Sequence, residues 1–355
     1  MNKVGLLVFA SSFAALIALG ASAAPRTLTV ITHDSFNLDK KLVSDFEARA
    51  GVKVAFVKGG DAGAMVNKLV LAKGTLADAV FGIDNTLLGR ALEANLLEAY
   101  RPKAAAQIPV NLRLDPQWRL TSVDYGFVTL NYDRAWFRKT GLALPKRLED
   151  LTQPAYKGLL VAPNPATSST GLAFYLATLK TLGERGALTF WAGLRANGAK
   201  ITAGWDAAYY TEFTRNGGAR PIVVSYASSP AAEVYYSKEK LEDAPTANLL
   251  LPGSAFRQIE GVGVLRGARN RADAQRFVDF MLEGSVQRDI PTQMWVYPVL
   301  PGVALDPVYR FAQKPSPEQA ASLEPATINA NRARWLSNWT QVVQRGADPA
   351  TLPLR

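Results

Sequence analysis

The chain contains no cysteine and only one histidine, His33. The absence of cysteine excludes disulfides, thiolate metal sites and cysteine nucleophiles. A single imidazole also excludes zinc or iron sites built from several histidines. Phosphate-binding glycine loops, dinucleotide fingerprints and the G-x-S-x-G turn of serine hydrolases are missing from the sequence as well. These absences favour binding without chemistry, no catalytic residue and no cofactor, and they leave an exported hydrolase that uses carboxylates alone as the enzymatic alternative.

Long apolar runs are confined to the N-terminus. Lys3 is followed by an uncharged apolar stretch over residues 4–19 and then by Ala21-Ser22-Ala23, which has the form of an A-x-A cleavage site. A retained membrane anchor is disfavoured because the run is short for a bilayer and no basic cluster follows it. The pattern predicts a signal peptide over residues 1–24 and an exported protein.

The formal net charge of +10 raises the question of a nucleic-acid partner. The basic residues are scattered, however, in segments such as RPKAAA and WFRKTG, and no nucleic-acid-binding motif accompanies them. We therefore interpret the charge as a solvated surface and expect no nucleic-acid partner.

Short β-rich runs alternate with helical patterns, first over residues 27–95 and again over residues 159–227. Such alternation predicts an α/β protein with βαβ units. Two extended segments, VDYGFVTLNYD and FRQIEGVGVLRGA, separate the series. Since a chain of this length suits two lobes, we predict one lobe from residues 25–128 plus 260–355, which includes a C-terminal helix, and a second from residues 129–259. Trp335 and Trp339, one turn apart in that helix, are expected in the core.

Polar residues precede a helix in the segment PNPATSSTGLAFYL. Ser168, Ser169 and Thr170 lie where free N–H groups and the helix dipole favour an anion, either a phosphate or a carboxylate. The alternative is a simple helix N-cap, and both can hold together.

Aromatic residues follow the predicted strands or lie in loops, beside carboxylates. They are Trp205 in GWDAAY, Tyr226 in SYASSP, and Trp295 and Tyr297 in QMWVYPVL. Each alone is more often part of a core than of a ligand site. Together they indicate a flat, cationic, ring-bearing ligand held by stacking and cation–π attraction.

The order and spacing of several segments resemble the thiamine-binding periplasmic proteins of bacterial ABC importers over nearly the whole mature chain. These segments are LTVITHDSF, LADAVFGIDNTLL, VDYGFVTLNYD, NPATSSTGLAFYL, GWDAAY, VVSYASSP, IPTQMWVYPV and RARWLSNW. The resemblance implies a two-lobed, type II periplasmic-binding-protein-like fold whose interlobe cleft closes on its ligand by hinge motion. It also implies a periplasmic location, an ABC transporter permease as partner, and thiamine, thiamine monophosphate or thiamine pyrophosphate as ligand.

The resemblance further implies roles for individual residues. Trp205, Tyr226 and Trp295 would form an aromatic wall, the three aspartates would supply negative charge or hydrogen bonds, and the Ser-Ser-Thr segment would face any phosphate. The full candidate set is His33, Asp34, Asp84, Asn85, Asp124, Tyr125, Ser168, Ser169, Thr170, Trp205, Tyr226, Trp295 and Tyr297.

Two positions depart from the family pattern. This chain has His33 where family members often have tyrosine, and it has Ala232 where they have an aromatic residue. The ring of Tyr235, one turn further on, could take the place of the missing aromatic ring. We expect His33 to form a pocket wall and to hydrogen-bond the pyrimidine, with an ordinary structural histidine as the alternative. The choice between free thiamine, its phosphates and a pyrimidine precursor stays open.

A ferric-iron-binding protein of the same fold group is the second interpretation. The tandem pairs Tyr209-Tyr210 and Tyr235-Tyr236 could supply phenolate ligands. The tryptophans would then have no role, and so the sequence favours thiamine and no metal.

Overall fold

The computed structural model describes residues 26–74 and 76–354. The predicted signal peptide, residues 1–24, lies outside the described residues. Within those two ranges no helix has both the length and the apolar character to cross a bilayer.

The described strands form one mixed sheet of twelve strands. They are β1 (Arg26–Thr32), β2 (Val52–Lys58), β3 (Ala79–Asp84), β4 (Leu97–Glu98), β5 (Thr121–Asp133), β6 (Leu160–Pro163), β7 (Lys200–Thr202), β8 (Ile222–Tyr226), β9 (Thr246–Leu249), β10 (Ala255–Leu265), β11 (Tyr297–Pro298) and β12 (Ala320–Ala321).

The helices follow or connect these strands. They are α1 (Lys40–Ala50), α2 (Ala62–Leu71), α3 (Leu88–Glu93), α4 (Arg134–Thr140), α5 (Ser169–Ala196), α6 (Trp205–Ala207), α7 (Ser229–Tyr235), α8 (Arg271–Met281), α9 (Gly284–Gln293) and α10 (Pro325–Val343). In α5 the backbone breaks at Gly183, with φ 70° and ψ 168°, between the two helical segments that the sequence suggests.

The main path of the sheet runs β2-β1-β3-β10-β5-β8-β6-β7. We call β2, β1 and β3 with their helices the first half, and β8, β6 and β7 with α5 the second half. Within each half the strands are parallel, and β10 and β5 run antiparallel to their neighbours on this main path. The carboxyl ends of β1 and β8 therefore meet near the middle of the molecule, where open α/β sheets bind ligands.

Strands β5 and β10 belong to both halves. The first part of β5 pairs with β10, and its last part pairs with β8 and β9. The ladder between β10 and its neighbours shifts register beside Gly261. The backbone thus passes twice from one half to the other through one antiparallel pair of strands. The division at residues 128/129 and 259/260 remains a prediction.

The C-terminal helix α10 packs mainly on α5 and also contacts α3. The rings of Trp339 and Trp191 are 5.5 Å apart, and the Tyr175 hydroxyl donates to the carbonyl of Trp335 at 3.1 Å. Trp335 and Trp339 are buried, which confirms their predicted place in the core. The helix that the sequence assigned to the first lobe therefore touches both halves.

Candidate functional site

A cavity of about 750 Å³ lies between the two halves, at the carboxyl ends of β1 and β8. Seven of the thirteen candidate residues line it: His33, Asp34, Ser169, Thr170, Trp205, Tyr226 and Trp295. The structure thus brings the predicted aromatic wall, the lone histidine and part of the helix start into one cleft.

Two candidates from the end of β3 lie behind the cleft surface instead. Asp84 is fully buried and accepts hydrogen bonds from the Thr86 amide and hydroxyl and from the Leu87 amide. Asn85 bonds the backbone of β10, through the carbonyl of Arg257 and the amide of Ile259. Both side chains fix the end of β3 against β10.

Tyr125 and Tyr297 also lie outside the cavity wall. They are partners in adjacent strands, and their rings stack with centroids 5.3 Å apart. Ser168 is buried and accepts from the Gly171 amide, and so it acts as the N-cap of α5. The sequence alone could not separate these packing roles from ligand contact.

The helix start at α5 is occupied by a carboxylate from the opposite half. Asp61, at the N-cap of α2, accepts from the amide of Ser169 at 3.1 Å and from the amide of Trp205 at 3.0 Å. Burial raises the pKa of Asp61, and the hydrogen bonds from these amides lower it. Asp61 therefore joins the two halves through the anion position predicted for a phosphate. Sequence reasoning missed it, although GGDA immediately before a helix is a recognisable N-cap pattern.

Trp205 and Tyr226 form the wall in the second half. The Trp205 ring stacks on Tyr209 with centroids 5.2 Å apart and an angle of 25°, and its Nε1 donates to the Ser225 hydroxyl at 2.8 Å. The Tyr226 hydroxyl donates to Gln258 at 2.6 Å and lies 3.2 Å from the Thr170 hydroxyl. These contacts hold the rings in place without a ligand.

Trp295 contributes a wall from the loop after α9. Its backbone is left-handed, with φ 59°, and its ring stacks on Tyr309 at 5.9 Å. Tyr235 and Tyr236 meet its other sides at 5.1 and 5.6 Å. Tyr236 lines the cavity beside Ala232, whereas Tyr235 is not among the lining residues. The tandem tyrosines thus extend an aromatic rim around Trp295.

A carboxyl pair forms the inner end of the cavity. Glu260 on β10 lies directly opposite Asp124 on β5. Glu260 lines the cavity and is 7% exposed, while Asp124 behind it is fully buried. Burial raises the pKa of Asp124 to about 8, and burial together with the Asp124 charge raises that of Glu260 well above its usual range. Sequence reasoning missed Glu260, although a lone glutamate within the apolar run IEGVGVL is a signal that could have identified it.

His33 lies next to Glu260, with 3.6 Å between His33 Nε2 and Glu260 Oε1. Burial, followed by the charge of Lys58, lowers the pKa of His33 to about 3, so its imidazole is neutral at physiological pH. Gly82 has φ +98°, and a Cβ at this position would overlap the imidazole ring. The glycine in the segment AVFGID therefore makes room for the histidine.

The buried acids make the stability of the ligand-free protein depend on pH. An unfolded aspartate has a pKa near 3.9, whereas burial raises the pKa of Asp124 in the folded protein to about 8. The folded state then binds more protons in this interval, so the stabilisation is complete below about pH 4 and is lost as the pH rises towards about 8. The lowered pKa of His33 has the opposite effect and makes the folded state more stable as the pH rises. This effect is confined to pH values below the ordinary histidine pKa of 6.5.

We therefore expect the melting temperature to fall between pH 6.5 and pH 8, with a loss of stability of about 1 kcal/mol per pH unit. Asp124→Asn should flatten this profile, whereas Asp115→Asn, a buried carboxyl paired with Arg119 outside the cleft, should not. Calorimetric melts in steps of half a pH unit measure the difference. A rise in melting temperature across this interval contradicts the assignment.

Two halves that share a pair of strands and enclose a cleft with aromatic walls and an acidic end define the two-lobed solute-binding class of proteins. Comparison with known proteins agrees. The model of the family described as bacterial extracellular solute-binding protein matches residues 75–324. The chain belongs to this bacterial extracellular solute-binding protein family.

Two curated relatives and one solved structure are named as thiamine-binding proteins. The thiamine-binding periplasmic protein of Salmonella typhimurium is 30% identical over 338 residues, which cover 93% of this chain and 97% of that protein. The protein of the same name from Brucella suis is 30% identical over 97% of this chain and its whole length. A solved periplasmic thiamin binding protein superposes with a TM-score of 0.77 at 27% identity, covering 91% of this chain and 98% of that one.

These comparisons confirm the predicted resemblance, the type II fold, the solute-binding role in ABC transport and the periplasmic location. Iron-bound HitA from Pseudomonas aeruginosa shares the fold at 22% identity, with a TM-score of 0.69. It therefore supports the fold group alone.

Proposed function

We propose that the chain captures thiamine in the cleft between its halves and delivers it to an ABC transporter permease. The observation that carries this proposal is the presence of an aromatic wall and a buried carboxylate in one cavity, with Trp205 and Glu260 both in its lining. Thiamine joins a permanently cationic thiazolium ring to an aminopyrimidine. Aromatic faces attract such a flat cation, and a buried carboxylate complements its charge. The names of the relatives support the same ligand.

The neutral imidazole of His33 suits the aminopyrimidine. Its Nε2 is buried and has no hydrogen-bond partner among the described residues. A neutral imidazole can donate or accept through this atom, depending on its tautomer. We propose that His33 is a wall of the ligand site and hydrogen-bonds the pyrimidine ring, as the sequence suggested.

We propose free thiamine as the preferred form, with the monophosphate and the pyrophosphate bound more weakly. The amide of Ser169 at the start of α5 already donates to Asp61. A phosphate at this helix start would meet the Asp61 carboxylate instead of a free amide, and like charges repel. Arg215, which also lines the cavity, is paired with Glu233 at 3.1 Å.

The role is binding and release rather than chemistry. We propose that the halves close on thiamine by a hinge motion and that the closed form docks on the permease. In the closed arrangement Asp61 spans the cleft, while Ser35 donates from the first half to Asp206 in the second at 2.9 Å. The ferric alternative is weaker because phenols of its tandem pairs are already engaged. Tyr209 donates to Glu233, and Tyr236 accepts from Trp295.

Intrinsic fluorescence tests the function. The chain has seven tryptophans, and Trp205 and Trp295 line the cleft. We expect saturable quenching by thiamine, quenching at higher concentrations by its two phosphates and by the isolated aminopyrimidine, and none by Fe³⁺. A Trp205→Phe/Trp295→Phe variant should lose most of the signal. Quenching by Fe³⁺ without any response to thiamine would replace this proposal with the ferric one.

A further inference from the structure

Asp124 and Glu260 form a pair of neighbouring carboxyl groups at the inner end of the cleft. The two residues occupy opposing positions in the β5–β10 ladder, beside a shift in register. Both oxygens of Asp124 are buried, and among the described residues only the Glu260 carboxyl, when it is protonated, can donate a hydrogen bond to them. An ionised carboxylate buried without a donor is strongly unfavourable. Two adjacent ionised carboxylates would be worse, whereas one proton between them allows an O–H···O bond.

The groups that face the pair do not supply a positive charge that would allow both carboxyl groups to be ionised. His33, from the loop after β1, is neutral and lies 3.6 Å from Glu260. Asp61 at the start of α2 and Asp84 at the end of β3 both add negative charge near Glu260.

The remaining neighbours are phenols and more distant cations. Tyr226 from β8 experiences the charge of Glu260, and Tyr309, from the turn at Pro307–Phe311, that of Asp124. Burial raises the pKa of both phenols, so they stay neutral. The cations Lys58 and Arg332 act on His33 and on Asp84, respectively.

We propose that the empty cleft holds one proton on the Asp124–Glu260 pair and that a cationic ligand seated beside Glu260 releases this proton to solvent. This inference rests on the proposed function and specifies its charge selectivity. In the step, the O–H bond of the shared proton breaks, the proton passes to bulk water, and both carboxylates stay ionised against the ligand cation. The charges balance. Before binding, the carboxyl pair carries −1 and the ligand +1. After binding, the pair carries −2, the ligand +1 and the released proton +1.

Two properties follow from this exchange. A neutral molecule of the same shape cannot compensate the second carboxylate, so it binds without releasing a proton. The apparent affinity for a cation rises with pH until the pair of the empty cleft is itself ionised, by up to about tenfold per pH unit. Below that point the cleft selects ligands by charge as well as by shape.

Isothermal titration of thiamine at about pH 7, in buffers with different enthalpies of ionisation, measures the released proton. We expect the observed enthalpy to vary linearly with buffer ionisation enthalpy, with a slope equivalent to roughly one proton released per thiamine. The isolated aminopyrimidine, which carries no thiazolium, should give a slope near zero. The dissociation constant for thiamine should decrease between pH 6 and pH 7.

Asp124→Asn is the decisive variant. The asparagine amide can donate to Glu260 and removes the Asp124 charge, and both changes lower the pKa of Glu260, so thiamine should still bind but release less of a proton than it does from the parent. Asp115→Asn, whose carboxyl pairs with Arg119 away from the cleft, should release the proton as the parent does. Infrared difference spectra of the parent provide a second measurement, because the carbonyl stretch of a protonated carboxyl should disappear when thiamine binds.

The outcomes separate the two proposals. Thiamine binding by the parent with no buffer dependence overturns the proton inference and leaves the proposed function intact. Equal proton release by the parent and Asp124→Asn also overturns it, since the proton would then come from elsewhere. Absence of thiamine binding in every buffer overturns the proposed function and the inference with it.

Discussion

Glu260→Gln is expected to weaken thiamine binding by about 2 kcal/mol, or roughly thirtyfold. A unit charge about 5 Å from a cation contributes a few kcal/mol at the effective dielectric constant of such sites, and the neutral amide removes this attraction. Part of it is offset in the parent by the cost of ionising the carboxyl pair. The glutamine keeps the size and position of the side chain, so the aromatic walls remain.

The ligand series makes this prediction specific to charge. The neutral aminopyrimidine should bind Glu260→Gln within about threefold of the parent, since it gains nothing from the carboxylate. Glu98→Gln, which alters a glutamate paired with Arg271 far from the cavity lining, is the control. Titration calorimetry gives the affinities of both ligands for the parent and for the two variants. Equal losses for thiamine and for the fragment would mean that the substitution disturbs shape and not charge.

Trp205→Ala is expected to lower thiamine affinity by about 1 to 3 kcal/mol, or roughly 5- to 150-fold, through the loss of stacking and cation–π attraction. Trp205→Leu keeps much of the apolar area but has no π face, and so it should recover only part of the loss. Tyr209, on which the indole stacks, remains as a second ring in both variants.

Trp136→Leu supplies the control, because Trp136 packs on Phe137 in α4 away from the cavity lining. Binding affinities from titration calorimetry and melting temperatures should be measured together. If Trp205→Ala and Trp295→Ala both bind thiamine like the parent, while Tyr235→Phe and Tyr236→Phe abolish Fe³⁺ binding, the thiamine proposal is wrong.

The fold and the aromatic wall could be predicted because their signals are local. Alternating strand and helix patterns give the βαβ units, and Trp205 and Tyr226 follow predicted strands directly, where α/β proteins place ligand contacts. His33 was found for the same reason, at the end of β1. The position of the Trp295 ring does not follow from such a local signal, since it depends on a left-handed backbone and on Tyr309 behind the ring.

Asp124 was a candidate from the sequence, but its pairing with Glu260 could not be predicted, because it depends on the register between distant strands. Asp124 and Glu260 are opposite each other only in the observed register of β5 and β10, and a shift of one residue would turn either side chain to the other face. Asp84 is the opposite case, because a local sequence signal suggested a ligand contact that the structure does not place in the cavity. As an aspartate at a strand end it suggested a ligand contact, but the following turn through Thr86 occupies its carboxylate.

One part of the cleft keeps its shape when the halves move, and another part forms only when they close. The carboxyl pair is carried on β5 and β10 themselves, so we expect its spacing to persist when the halves rotate apart. The contacts of Asp61 with Ser169 and Trp205 join opposite halves and must separate on opening. A molecule that satisfies only the acidic end can therefore occupy the open protein without drawing the halves together. Occupancy and handover to the permease are then distinct events, and a cation that binds without bridging the halves would act as a competitor of transport instead of a cargo.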